Sequence, residues 1–249
     1  MLLKDKVAVI YGAGGAIGGA VARAFASEGA GVFLTGHNLA PVETVAKDIV
    51  AAGGSAEAAK VDALDEPAVD RHLRSVIEKA GRLDISFNAV GIPNAELLGV
   101  PLAEVDAERF FLPIATYTRS YFLTARLAAR RMSAQGSGVI MTVTALHSRT
   151  GIPLVGGYGP AMAAKEALTR ELSAELAPLG IRVVALRPQA MPETRTIREA
   201  FEPRAAASGM TWEQWQESLA GRTHARRLLT LEEMADTAVA LGQHPSSVW

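Results

Sequence analysis

The sequence predicts an α/β fold of the Rossmann type, a doubly wound parallel sheet with helices on both faces. Three observations carry that prediction. Short β-branched runs alternate with longer segments of helical period from the N-terminus to about residue 188. The strand runs are continuously apolar rather than alternating, as expected of strands buried on both faces. A glycine cluster separates the first strand from the first helix, where α/β folds bind phosphates.

The elements follow in order. "KVAVIYG" (6–12) reads as a buried strand. Residues 18–28 carry Val21, Ala24 and Phe25 at helical spacing, and Gly29 ends the run as a C-terminal cap would. "GVFLTG" (31–36) is a second strand, and Val42, Val45 and Ile49 mark one face of a helix over about 39–52. "SAEAAKVDA" (55–63) is a weaker strand. Asp65, Glu66 and Pro67 open the next helix, with proline near its first position, and Gly81 closes it. "LDISFNAVG" (83–91) is a strand, about 104–133 a long helix, "GVIMTVTA" (138–145) a strand, 158–177 a helix and "IRVVALRP" (181–188) a strand. The last helix is expected at about 231–242.

Residues 189–230 break this rhythm. They hold "TWEQWQESL", with Trp212, Trp215 and Leu219 on one helical face. The segment is expected to be a helical lid over the C-terminal edge of the sheet, where ligands enter open α/β folds. With no repeat, low-complexity tract or linker, 1–249 is expected to be one domain.

Composition excludes several functions. The net charge is −1, so neither nucleic acid nor an anionic membrane is attracted on electrostatic grounds. There is no cysteine, which removes thiol nucleophiles, disulfides and thiolate metal sites. The histidines show no metal-ligand spacing, and no zinc, nucleophile-elbow or Walker motif is present. No signal peptide or membrane span is readable, which predicts a soluble cytoplasmic protein.

"VAVIYGAGGAIGGAVA" places Gly12, Gly14, Gly15, Gly18 and Gly19 between strand and helix. In that context the loop lets backbone N–H groups approach a pyrophosphate. On this loop the chain resembles the short-chain dehydrogenase/reductases, and the resemblance extends over nearly its whole length. The family's Thr-Gly-x3-Gly-x-Gly appears as Tyr11, Gly12, Ala16, Ile17 and Gly18, with Ala16 replacing the middle glycine and Gly15 beside it. The family's Asn-Asn-Ala-Gly appears as Asn88 to Gly91, and its Pro-Gly after strand six as Pro188-Gln189. The resemblance implies a nicotinamide cofactor contacted by Gly12, Gly15, Ile17, Gly18, His37, Asp62, Ala63, Asn88, Gly91 and Pro188. At the end of the second strand stand Gly36 and His37, neither an acid for NAD nor an arginine for NADP. His37 can donate and Asn38 follows, so NADP(H) is favoured over NAD(H).

The family's chemistry uses Ser, Tyr and Lys, with an Asn upstream. In the register fixed by "EALTRELSAELAPLGIRV" (166–183), Tyr158 matches the tyrosine. Ala145 then stands at the serine, Met162 at the lysine, and Tyr117 near the asparagine. Lys165, seven residues after Tyr158, returns to its helix face but roughly 10 Å along the axis, against roughly 6 Å for a residue four on. Lys165 is therefore expected to be a solvated helix lysine. His147 borders the same region and is a second candidate acid or base. The simpler reading of His147 is a loop side chain exposed to water.

The loss of the lysine has a size. A shift of two or three units in the tyrosine pKa corresponds to about 3–4 kcal/mol of bias toward phenolate. Oxidation needs that phenolate and should suffer; reduction needs protonated Tyr158 and should survive. The first expectation is therefore NAD(P)(H)-dependent conversion of a small carbonyl or alcohol substrate with Tyr158 as acid/base. The alternative is a protein of the same fold that runs a non-redox step (dehydration, cyclisation or isomerisation), or only binds a ligand, and needs no nicotinamide cofactor. The family commonly adds a seventh strand after the last helix, and none is readable here. The expected assembly is a homodimer through helices 104–133 and 158–177.

Overall fold

A computed structural model describes residues 1–93 and 98–243. Its centre is a six-stranded parallel sheet in the order β3-β2-β1-β4-β5-β6, with β1 Val7–Tyr11, β2 Gly31–Gly36, β3 Ser55–Lys60, β4 Ile85–Asn88, β5 Gly138–Val143 and β6 Ile181–Leu186. The order reverses between β1 and β4. That switch opens a crevice at the carboxyl ends of the strands, where α/β sheets bind ligands.

Both faces of the sheet are covered along its central strands, as their unbroken apolar runs require, while the edge strand β3 leaves Ser55, Glu57 and Lys60 exposed. Ala8 and Ile10 of β1 pack into one core with Val21 and Phe25 of α1 (Ala16–Ser27), Val42 and Val45 of α2 (Leu39–Ala51), and Ala238 and Val239 of α8 (Leu231–Gln243). Val7, Val9 and Tyr11 point the other way. They meet Leu73 and Val76 of α3 (Glu66–Ala80) and Tyr121, Leu127 and Met132 of α4 (Ala107–Gln135). The period of two along β1 thus assigns each residue its layer.

Helix α5 (Tyr158–Leu176) completes the second layer against α4, and its start is set by one close approach. A Cβ on Gly157 would lie 1.9 Å from the carbonyl oxygen of Phe110, so only glycine lets α5 begin against α4 there. Helix α3 has the caps its sequence announces: the Asp65 side chain accepts from Ala68 N at 3.1 Å, and Gly81 closes it with φ 75°.

Five strands end earlier than their sequence runs suggested, at Tyr11, Lys60, Asn88, Val143 and Leu186. After β5 the chain turns through a 3-10 turn at Leu146–Ser148, because Thr144 and Ser148 both donate to the Glu166 carboxylate on α5. The 189–230 segment contains two helices, α6 (Arg195–Ala207) and α7 (Trp212–Gly221). Thr194 caps α6, and Thr211 with Gln214 forms a capping box on α7. The residues after α8, on which the expectation of a missing strand bears, lie outside the described residues.

Candidate functional site

The first part of the site is the loop from β1 into α1. Gly12 has φ 76°, and a Cβ there would lie 2.6 Å from Ala89 O. A Cβ on Gly18 would lie 2.3 Å from Gly12 O. These two glycines let the loop fold tightly beside β4. Position 16 is different. Ala16 is the first residue of α1 and is exposed with Gly14 and Gly15, while Ile17 is half-buried. Gly15 precedes α1 without a side-chain cap, and no acid occupies the first turn. An exposed, uncapped helix start without negative charge fits an incoming pyrophosphate.

At the end of β2, His37 is 75% exposed and its Nδ1 lies 3.6 Å from Asp62 Oδ2. Asp62 also accepts from Leu64 N at 2.9 Å, which holds its carboxylate at the end of β3, with Ala63 buried beside it. Asn88 is 1% exposed. Its amide donates to Thr124 Oγ1 at 3.0 Å, and its carbonyl oxygen accepts from Val90 N at 3.4 Å. The side chain of Asn88 therefore braces β4 against α4. Gly91 lies past β4, where a Cβ would come 4.0 Å from the Tyr117 hydroxyl. Pro188 follows β6, half-buried.

The second part gathers around Tyr158, the first residue of α5. The His147 ring meets it edge-on, 5.1 Å between centroids at 79°. The Tyr117 ring meets it 5.8 Å away at 73°. Met162, 2% exposed, packs in one apolar cluster with Tyr117, Ala161, Tyr158, Ala145, Ile92 and Ile114. The positions expected from the register thus come together: Tyr158, Ala145, Met162 and Tyr117 share one cluster, and His147 joins it.

The electrostatics follow from burial. Burial pushes the Tyr158 phenol well above its ordinary range, and Tyr117 beside it adds to the shift. Burial raises Tyr117 too, opposed by its hydrogen bond from Ile92 N at 3.3 Å. His147 is shifted down, first by burial and then by the Arg204 charge, so it is held neutral. Its Nδ1 is enclosed and has no hydrogen-bond partner among the described residues. The reading of His147 as a water-exposed loop residue is corrected here, because the Leu146–Ser148 turn folds its ring onto Tyr158.

Lys165 requires a larger correction. It is 1% exposed, not solvated. Its Nζ donates to Val143 O at 2.7 Å and lies 5.6 Å from the Tyr117 ring centre and 5.7 Å from that of Tyr121. The helical face that carries Tyr158 is packed under α4, so a lysine seven residues on is carried inside with it. It does not take over the missing lysine's place, since its hydrogen bond goes to β5.

Glu166 was not anticipated. Its carboxylate, 8% exposed, accepts from Ser148 Oγ at 2.6 Å, Arg149 Nε at 2.8 Å and Arg187 Nη1 at 3.2 Å. Those bonds hold its carboxyl below the usual range against the opposing effect of burial. They tie the His147 turn to the end of β6, beside Pro188. Nothing in the sequence links Glu166 to residues 148, 149 and 187.

Arg204 of α6 donates to Leu154 O at 3.2 Å, and Gly99 N donates to the same oxygen at 2.9 Å. Helix α6 thereby touches the loop that leads into Tyr158. No group of three potential metal ligands occurs among the described residues, and no described helix is long and apolar enough to cross a membrane.

Comparison with known proteins agrees with this geometry. A family profile described as Enoyl-(Acyl carrier protein) reductase matches residues 12–248. The chain is 32% identical over 195 residues to L-rhamnose 1-dehydrogenase (NAD(P)(+)) of Azotobacter vinelandii, covering 76% of this chain and 74% of that one. It is 27% identical over 247 residues to 7alpha-hydroxysteroid dehydrogenase of Escherichia coli K12, covering 99% and 90%. Among solved structures, an NAD+-bound xylitol dehydrogenase superposes with a TM-score of 0.87 at 26% identity, covering 97% of this chain and 93% of that one.

Proposed function

The chain belongs to the short-chain dehydrogenase/reductase family, and on that premise we propose that it reduces the carbonyl group of a small molecule with Tyr158 as proton donor. The observation that carries this reading is the placement of Tyr158 at the start of α5, packed against His147, Tyr117 and Met162, where burial raises its phenol. A phenol held above its ordinary pKa of about 10 keeps its proton at neutral pH. That suits donation to a developing alkoxide and opposes the reverse abstraction.

A bound nicotinamide would supply the hydride. Gly12, Gly15, Ile17 and Gly18 would hold its pyrophosphate on the open start of α1, with His37, Asp62 and Ala63 at the adenosine end and Gly91 and Pro188 along the crevice. Tyr158 gives its Oη proton to the substrate oxygen. The phenolate would regain its proton from water, since His147, packed edge-on against Tyr158 and held neutral, has no proton to spare. NADP(H) is preferred over NAD(H) because His37 can donate to a 2′-phosphate; Asp62 at 3.6 Å works against that phosphate and keeps the preference small. The alternative without redox chemistry rested on Ala145 and Met162. The relatives, which are dehydrogenases by name, do not favour it.

Replacing Tyr158 with Phe tests the assignment. NADPH consumption with a panel of small ketones and aldehydes should fall about 10²–10⁴-fold, with NADPH affinity unchanged. Turnover equal to the parent protein would remove Tyr158 from the reaction. We further propose that α6 and α7 form the substrate lid and that two copies pair through α4 and α5. Phe111, 58% exposed, and Phe122, 41% exposed, lie on α4. Sedimentation at micromolar concentration should show a dimer, and a monomer would reject the pairing.

A further inference from the structure

Beneath the proposed site lies a titratable group that the reaction does not use. Lys165 is enclosed by Tyr117 and Tyr121 on α4 and by the Val143 carbonyl on β5. The Tyr117 ring meets Lys165 Nζ at 5.6 Å and the Tyr158 ring at 5.8 Å. We propose that Lys165 is a positioning residue that acts through Tyr117, so that gain or loss of its proton changes how the Tyr158 ring is held. The inference rests on Tyr158 as the working residue only for its functional consequence; the coupling itself is independent of that reading.

The physical basis is the interaction of a cation with two aromatic rings. An ammonium within about 6 Å of a tyrosine ring is attracted to the ring's electron-rich interior, and more so when desolvated. The neutral amine loses that attraction but keeps its hydrogen bond to Val143. Protonation therefore draws Tyr117 toward Lys165, and deprotonation releases it. Tyr117 is a suitable lever, since its ring packs edge-on against Tyr158 while its hydroxyl is held by Ile92 N.

The surroundings leave this effect uncompensated. From α4, the rings of Tyr117 and Tyr121 face the amine, and the Tyr121 hydroxyl is paired with Thr169 at 3.1 Å. From β5 the partner is a backbone carbonyl. On α5, Tyr158 lies beyond Tyr117, and the neighbouring Glu166 is turned to Ser148, Arg149 and Arg187. His147 packs on Tyr158. Among the described residues no carboxylate pairs with Lys165, and burial lowers its pKa to about 7. Its proton is thus exchanged in the range where the protein would work.

The test needs no substrate. In protein labelled with carbon-13 at the lysine side chains, one resonance should titrate near neutrality, and it should be missing from Lys165→Met. The other lysines should titrate near about 10.4. The near-ultraviolet circular dichroism of the tyrosines should change with the same midpoint in the parent protein. That change should vanish in Lys165→Met, shrink in Tyr117→Leu to the part Tyr121 contributes, and persist in His147→Asn, which removes the other titrating group packed on Tyr158. Two results would overturn the proposal: a Lys165 resonance that titrates at an ordinary lysine value, or one that titrates near neutrality while the tyrosine signal stays flat. NADPH titration of the same samples separates the claims, because tyrosine coupling without NADPH binding would sink the reductase reading and leave the positioning role standing.

Discussion

The two ends of the crevice have departed from the family pattern to different depths. At the α1 end one glycine of three is replaced, and the replacement, Ala16, sits on an exposed helix start where a methyl group meets open space. At the α5 end the serine and lysine positions hold Ala145 and Met162, and these pack into an apolar cluster around Tyr158. The first end works through backbone N–H groups, which survive substitution while the loop keeps its shape. The second works through side-chain atoms, which do not. On the function proposed above, the nucleotide site would persist where the serine and lysine positions have changed.

The strongest break of nucleotide binding is at Gly18. A Cβ there would lie 2.3 Å from Gly12 O, so Gly18→Ala should force the loop apart. We expect at least a 100-fold loss of NADPH affinity, or about 3 kcal/mol, measured by calorimetry. The chain should stay folded by circular dichroism. Unchanged affinity would show that loop shape is not what the nucleotide reads.

The next effect is in stability. Lys165 has a folded pKa of about 7, below the value of an unfolded lysine, so the unfolded chain binds more protons between the two. The parent protein should therefore gain stability as pH rises from about 7 toward about 10.4, and suffer the full cost below about 7. Lys165→Met removes that cost. Denaturant unfolding at about pH 6 should find the variant more stable by on the order of 4 kcal/mol, with the gap closing as pH rises. A gap independent of pH would mean the lysine is not buried with its charge at stake.

A smaller effect sharpens the comparison at the α5 end. Met162→Lys with Ala145→Ser restores an ammonium one helical turn from Tyr158 and a hydroxyl at its oxygen. Alcohol oxidation should rise about 10-fold or more relative to carbonyl reduction, because the phenolate becomes accessible. An unchanged ratio of the two directions would show that more than these side chains was altered.

The sequence made the frame legible because the frame is periodic. Apolar strand runs and helical spacing located the six strands and six of the helices of the described structure, while within 189–230 only the face of α7 was readable and α6 was not; Asp65, Pro67 and Gly81 marked the ends of α3 through local chemistry. Tyr158 was legible because the helix after it fixes a register. Lys165 was not, because residue type argued for solvent while helical phase argued for the interior. A fully buried lysine without a carboxylate is rare, so type was the natural guide and phase was right. His147 and Glu166 were illegible for a different reason. Their partners, Tyr158 at one and Ser148, Arg149 and Arg187 at the other, are assembled by the crossing of β5, α5 and β6, and no spacing along one element encodes that meeting.

The central claim of the proposed function is that a nucleotide site persists although the serine and lysine of the family's catalytic trio are replaced. Calorimetric titration with NADPH and with NADH, each against the unmodified protein, tests it most directly. The account predicts binding of at least one in the micromolar range, somewhat tighter for NADPH. No heat of binding from either at about millimolar concentration, which corresponds to less than about 4 kcal/mol, would contradict it.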